Sequence, residues 1–295
     1  MRFDIIIRNG LVVDGSGTPA IRQDVGITGE KIEAVDDFCS SQAFLIIDAS
    51  GLVVAPATST IPFAWLEDCF KNGLLNGIDA LSVHPYRPQA PETVIKDYAR
   101  LRELMRRYAP QGKEIPILSG EWGYSLVNWD STRLSAERQG QYLARMFLVD
   151  LYQNVPVSIW YDWKDDGTDP NEREHHFGTV TSDLKPKEAY LAAKTLASTL
   201  AGYAVKERID VGSDKDFVLR LVKGTTEAIA FWTMGDDHEL ILPLKAGRGT
   251  MVDILGHRTD RSWQDGGLRV AISQSPEYLL IEAPIRPRDG QTVGL

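Results

Sequence analysis

Ile115-Pro-Ile-Leu-Ser-Gly-Glu-Trp-Gly123 is a short apolar run that ends in a glycine, a carboxylate and an aromatic. A β-strand that delivers Glu121 and Trp122 at its C-terminal end is the arrangement barrel enzymes use for their catalysts. Three further runs of the same kind surround it: Leu52 to Ala55, Ile78 to Val83 and Val155 to Trp160. Each is followed by a segment of helical periodicity, and strand-helix alternation of this sort builds a parallel sheet. Residues 53–203 therefore read as four strand-helix units, half of a (β/α)₈ or TIM barrel, where a closed barrel needs eight units and roughly 250 residues.

The helical segments fit that frame. Val94, Tyr98, Leu101, Met105 and Tyr108 recur at helical spacing, with Pro91 near the start and Arg106-Arg107 in the last turn. Ser135 is placed to cap the helix that carries Leu143, Met146, Phe147 and Leu151, and Gly202 to end the one lined by Ala189, Ala192, Leu196 and Leu200. From about Val205 the period changes to two, in runs such as Phe217-Val-Leu-Arg-Leu-Val222 and Ala228-Ile-Ala-Phe-Trp-Thr233 separated by Gly, Asp and Lys turns. Residues 204–284 read as an antiparallel β-sandwich, and 285–295 as a loose polar tail. At the other end, residues 1–52 read as a small β fragment with a hairpin around Gly29-Glu30. The fold class is α/β: a partial barrel between a β fragment and a sandwich.

Composition narrows the function classes. The 295-residue chain is 43% hydrophobic, enough for real cores, and its net charge of -9 offers no basic stripe for a polyanion. Nucleic acid is not an expected partner. No apolar run reaches the roughly 18 residues a spanning helix needs, no signal-peptide core precedes Arg8, and a cytoplasmic protein without a membrane partner is the expectation. Cys39 and Cys69 are too sparse for a disulfide framework, and no zinc spacing or cofactor motif occurs.

The first part of the chain, through Asp4-Ile-Ile-Ile-Arg-Asn-Gly10, Val12-Val-Asp-Gly-Ser-Gly-Thr-Pro19, Asp24-Val-Gly-Ile27 and Ile47-Asp-Ala-Ser-Gly-Leu-Val-Val-Ala-Pro56, resembles the N-terminal segment of urease-type amidohydrolases, in particular the N-acyl-D-amino-acid deacylases. In that family the Ala-Pro leads at once into a strand with His-x-His, which binds the catalytic metal. Here Ala57-Thr-Ser-Thr-Ile-Pro62 follows, and the chain has no His-x-His. His175 and His176 are adjacent, so on extended backbone they point to opposite faces. No metal site is expected.

After that point the resemblance changes. Ile78-Asp-Ala-Leu-Ser-Val-His-Pro-Tyr-Arg87, Ile115 to Tyr124 and Ser158-Ile-Trp-Tyr-Asp-Trp163 look like strands six to eight of a retaining clan-A glycoside hydrolase, close to the xylosidase/iduronidase-type and cellulase-type families, with Pro56 to Phe70 as strand five. The resemblance implies Glu121 as nucleophile, His84 and Tyr86 beside it, and Trp160 under the sugar. It also implies an acid/base, an Asn-Glu pair ending strand four, that would lie upstream of Leu52 and is missing. A retaining glycosidase needs that second carboxylate roughly 5.5 Å from the first.

Each residue also has a plainer reading. His84 can be a hydrogen-bonded core histidine, and Trp122, Trp160 and Trp163 core aromatics, although flat rings at a barrel rim suit stacking on sugars. Asn171-Glu172 lies in a polar loop and reads as solvated surface. Asp162 and Asp166 read as hydroxyl ligands or partners for Arg and Lys, and are close enough to the strand end to be recruited. The combined expectation is a chimera-like glycoside-hydrolase relative with a carbohydrate substrate or ligand, catalytically incomplete, whose open half-barrel pairs with a second copy. An amidohydrolase acting on C–N bonds and a non-catalytic carbohydrate-binding remnant are the alternatives.

Overall fold

The computed structural model describes residues 2–12, 21–29, 31–38, 42–48, 51, 53–128 and 132–282. The tail 285–295, the glycine-rich turn at residues 15–17, Cys39 and Leu52 lie outside the described residues. The chain divides into two compact units, Met1–Pro85 with Lys96–Gly120 and Tyr86–Ile95 with Glu121–Leu295.

The first unit opens with β1 (Arg2–Val12), β2 (Ile21–Thr28), β3 (Lys31–Asp36) and β4 (Gln42–Asp48), a sheet of order β3-β2-β1-β4. The expected hairpin is present: Thr28 pairs with Lys31 across a turn in which Gly29 takes a φ of 59°, where a Cβ would be strained. Its core is Phe3, Ile6 and Phe38. Buried Asp24 ties the sheet by accepting from the backbone N–H groups of Asn9 at 2.8 Å and Phe38 at 3.1 Å.

The next elements are β5 (Thr58–Ser59), α1 (Phe63–Lys71), α2 (Leu74–Gly77), β6 (Leu81–His84), α3 (Val94–Tyr108), β7 (Ile117–Trp122), α4 (Ala136–Tyr152), β8 (Ser158–Trp160) and α5 (Glu188–Leu200). The strands lie in sequence order, β5-β6-β7-β8, with β5, β6 and β7 parallel. The predicted strand at Leu52 to Ala55 is reduced to one parallel bridge from Val54 to Ala80, and the strand proper falls at Thr58–Ser59. The strand predicted from Ile78 begins at Leu81, and the other two begin later than predicted for a local reason. Pro116 and Pro156 have no N–H to give a ladder, so pairing starts at Ile117 and Ser158. The α3 stripe of Val94, Tyr98, Leu101 and Met105 is buried, and Ser135 caps α4 by accepting from the Arg138 N–H at 3.0 Å.

Eight antiparallel strands complete the chain: β9 (Ala204–Arg208), β10 (Asp216–Lys223), β11 (Thr226–Thr233), β12 (His238–Leu242), β13 (Gly247–Val252), β14 (Arg258–Trp263), β15 (Leu268–Ile272) and β16 (Glu277–Ile281). Six form the sheet β14-β13-β16-β11-β10-β9, and β12 pairs with β15. Val218, Ile229, Phe231, Leu242, Met251, Trp263, Ile272 and Leu279 from both sheets share one core, as the alternating pattern requires. The fold is mixed α/β with several sheets.

One polar cluster is fully buried in the second unit. Arg145 of α4 holds Glu92, in the turn before α3, with two bonds of 2.6 and 2.8 Å, and Trp232 of β11 donates its indole N–H to the same carboxylate at 2.6 Å. A charge pair taken out of water this completely persists only when its lone pairs are met, and here the Trp232 donor supplies a third bond.

Candidate active site

Glu121 is the penultimate residue of β7, so its carboxylate sits at the C-terminal end of a parallel strand. The Tyr86 hydroxyl donates to Glu121 Oε1 at 2.8 Å. Burial first, and this hydrogen bond second, push the Tyr86 hydroxyl well above the usual phenol range, so it stays a donor. One carboxylate oxygen is thereby fixed.

Phe177 organises the surroundings. Its buried ring takes Tyr86 edge-on at 6.1 Å and Tyr161 edge-on at 5.3 Å, and the Arg173 guanidinium lies 4.6 Å from its centre. Arg173 donates to Glu174 at 2.6 Å, and Ser125 anchors the same turn by donating to the Arg173 carbonyl at 2.7 Å. Burial, then the negative charges of Asp162, Asp166, Glu174 and Glu121, raise the Tyr161 hydroxyl. Two phenols and an arginine thus stand among several carboxylates.

The ends of β7 and β8 are held together by backbone. The Tyr161 N–H donates to the Trp122 carbonyl at 3.1 Å, and a Cβ on Gly123 would stand 1.8 Å from the Tyr161 carbonyl oxygen. Only glycine allows that approach.

The structure sorts the predicted site residues into groups. Tyr86 and Glu121 touch. Trp122 is fully buried beside Tyr124 at 6.0 Å, with the Arg87 guanidinium 5.6 Å from its ring. Trp160 packs toward the cluster of Leu143, Ala144, Ala189 and Ala192 on α4 and α5, and its indole N–H donates to the Phe177 carbonyl at 3.1 Å. It is its neighbour Tyr161, just past the end of β8, whose ring joins the Tyr86–Phe177 group. Trp163 is 62% exposed, with its ring 6.0 Å from Tyr190. His84 ends β6 in the first unit, where its carbonyl accepts from Thr60 at 2.7 Å and a Cβ on Gly120 would meet its Nε2 at 3.4 Å and Ser82 Oγ at 2.2 Å.

Asp162 is half-buried, and its Oδ1 is buried with no hydrogen-bond partner among the described residues. Burial first, then the charges of Asp166 and Asp165, push its carboxyl up to about 6, with Lys187 opposing. Asn171 and Glu172 are exposed; Glu172 caps the short turn that follows by accepting from the Glu174 N–H. Among the described residues no three His, Cys, Asp or Glu side chains converge as a metal site requires.

A parallel sheet with a carboxylate at a strand end, followed by antiparallel sheets, has counterparts among solved structures. A family 39 glycoside hydrolase from Bacteroides cellulosilyticus WH2 matches with a TM-score of 0.65 and 24% identity, covering 80% of this chain and 50% of that one. A family 39 β-xylosidase from Caulobacter crescentus matches at 0.51 and 15%, over 79% of this chain and 58% of that one. A family 30 endoxylanase from Clostridium papyrosolvens C71 matches at 0.54 and 11%, over 80% and 57%. The likeness is one of fold. The chain spans about half the length of these structures.

The N-terminal resemblance is also found, over a short stretch. D-aminoacylase of Alcaligenes xylosoxydans xylosoxydans is 44% identical over 54 residues, 18% of this chain and 11% of that protein. N-acyl-D-glutamate deacylase of the same organism is 46% identical over 55 residues, 19% and 11%. No protein-family model matches the chain.

Sequence reasoning missed Tyr161, Phe177 and Arg173. Tyr161 lies just past a strand of three residues, too short for a two-residue period to mark it. Phe177 and Arg173 lie in a loop, where no periodicity marks them.

Proposed function

We propose that the chain is a glycoside-hydrolase-type protein of the retaining kind, with β5 to β8 as the last four strands of a (β/α)₈ barrel and Glu121 as the nucleophile. The observation that carries this reading is the 2.8 Å bond from Tyr86 to Glu121 at the C-terminal end of a parallel strand. A tyrosine that keeps its proton holds the carboxylate in one orientation, and its second oxygen is the one that attacks an anomeric carbon. Tyr161 and Trp163 supply aromatic faces for a sugar, and Asp162 supplies a polar contact. Trp122 and Trp160 support these groups from behind.

Residues 53–203 and 204–284 form the hydrolase part, and 1–52 is a deacylase-type fragment joined to it. No Asn-Glu pair occurs ahead of β5, so the acid/base of strand four has no counterpart in this chain and unactivated glycosides react slowly. The deacylase reading stays second because Ala57-Thr-Ser-Thr-Ile-Pro62 stands where that family has the His-x-His strand that binds its metal.

Two of the matched structures are named as a β-xylosidase and an endoxylanase. Aryl β-xylosides with a 2,4-dinitrophenyl leaving group, which need little acid assistance, are therefore the first substrates to try, with the corresponding glucosides alongside. The expected result is slow turnover that falls by about two orders of magnitude or more in Glu121→Gly, with azide restoring product as the inverted glycosyl azide. Turnover unchanged in Glu121→Gly contradicts the reading.

A further inference from the structure

We infer that Asp162 is the proton donor of the Glu121 site, the carboxylic acid that protonates the leaving oxygen of a glycoside. The inference rests on the retaining reading above and fills the gap it leaves.

Position is the first argument. Tyr161 is bonded through its N–H to the carbonyl of Trp122, the residue after Glu121, at 3.1 Å, so Asp162 leaves β8 beside the end of β7. The Thr179 N–H, donating to the Asp162 carbonyl at 3.2 Å, holds the backbone there. The Tyr161 hydroxyl feels the charges of both Asp162 and Glu121.

Environment is the second. A carboxyl oxygen stripped of water and given no donor disfavours the anion, and Asp162 Oδ1 is in that state. The groups that face it reinforce the effect. Asp166 and Asp165 act on it to raise it, and Lys187, which opposes them, donates to Asp165 at 2.9 Å with both side chains largely buried. The result is a carboxyl that holds its proton up to about pH 6 while the residue stays partly open to solvent. The nearby carboxylates already have partners: Asp165 accepts from Lys187 and from the Gly178 N–H, and Glu174 accepts from Arg173.

The chemistry balances. Glu121 forms a bond to the anomeric carbon as the bond to the leaving oxygen breaks, and that oxygen takes the Asp162 proton. In the second half a water attacks the glycosyl ester, gives one proton to the Asp162 carboxylate, and releases the sugar with Glu121 regenerated.

The test is a leaving-group series of aryl β-xylosides from dinitrophenyl to phenyl, with kcat/KM followed against pH. Wild type is expected to lose activity as pH rises through about 6, because the acid must be protonated. Asp162→Asn is expected to remove that limb and to cut the phenyl xyloside rate by about 100-fold or more while changing the dinitrophenyl rate little. The wild-type pH limb needs no variant, so the inference stays testable if Asp162→Asn fails to fold. A flat wild-type profile, or an Asp162→Asn effect equal across leaving groups, overturns the role of Asp162 while leaving Glu121 in place. Absence of any turnover that depends on Glu121 overturns the retaining reading, and the proton donor with it.

Discussion

Tyr86 and Glu121 lie 35 residues apart in the chain yet meet at 2.8 Å, and the proposed retaining chemistry depends on that contact. A hydrogen bond to a charged partner contributes about 1.5–3 kcal/mol, roughly ten- to a hundredfold in rate. Tyr86→Phe is therefore expected to lower kcat/KM on an activated aryl glycoside by that factor with little change in melting temperature. A variant that melts much earlier but keeps its kcat/KM would make the bond structural. At this scale sequence reading reached the carboxylate and its tyrosine, because a Glu after a short apolar strand and a Tyr after His-Pro are local patterns. It did not reach Phe177 or Arg173, since their places are set by ring packing and loop anchoring, which leave no periodic trace.

Elements were legible where their pattern is periodic. The α3 stripe, the Ser135 cap and the alternating strands of residues 204–284 stand where the spacing predicts. Strand starts were not, since prolines 116 and 156 remove ladder donors inside otherwise apolar runs. At β8 the three-residue strand Ser158–Trp160 is too short for a period of two to show which face is buried. Contacts between elements far apart in the chain were invisible, and the Glu92–Arg145–Trp232 cluster is the main case. Arg145→Met strands the Glu92 carboxylate in the core and is expected to destabilise the fold by about 3–5 kcal/mol in urea unfolding. The double variant Glu92→Leu/Arg145→Met removes both charges and should recover most of that, less the lost Trp232 bond of about 1–3 kcal/mol. A single variant as stable as wild type would show that the pair carries no net weight.

For the whole molecule, the mixed α/β class was readable from the switch between helical and two-residue periods. No helix among the described residues is long and apolar enough to cross a membrane. Two edge strands carry unusual apolar exposure: Phe44 of β4 is 96% exposed, and Ile159 of β8 is 49% exposed with Val157 beside it at 43%. Uncovered apolar edges recruit another strand, so we propose self-association, with a second copy pairing at β8. Sedimentation velocity is expected to show a concentration-dependent species of twice the chain mass, weakened by Ile159→Lys. A single species of one chain mass at every concentration contradicts it.

The central claim is that Glu121 is a nucleophile. The most direct test is to incubate the protein with a 2,4-dinitrophenyl 2-deoxy-2-fluoro-β-xyloside, whose covalent intermediate is long-lived, and to measure intact mass and the labelled peptide. The predicted result is one added fluorosugar per chain, located on Glu121 and absent from Glu121→Gln. Release of dinitrophenol dependent on the folded protein without any adduct, or an adduct on another residue, contradicts the account.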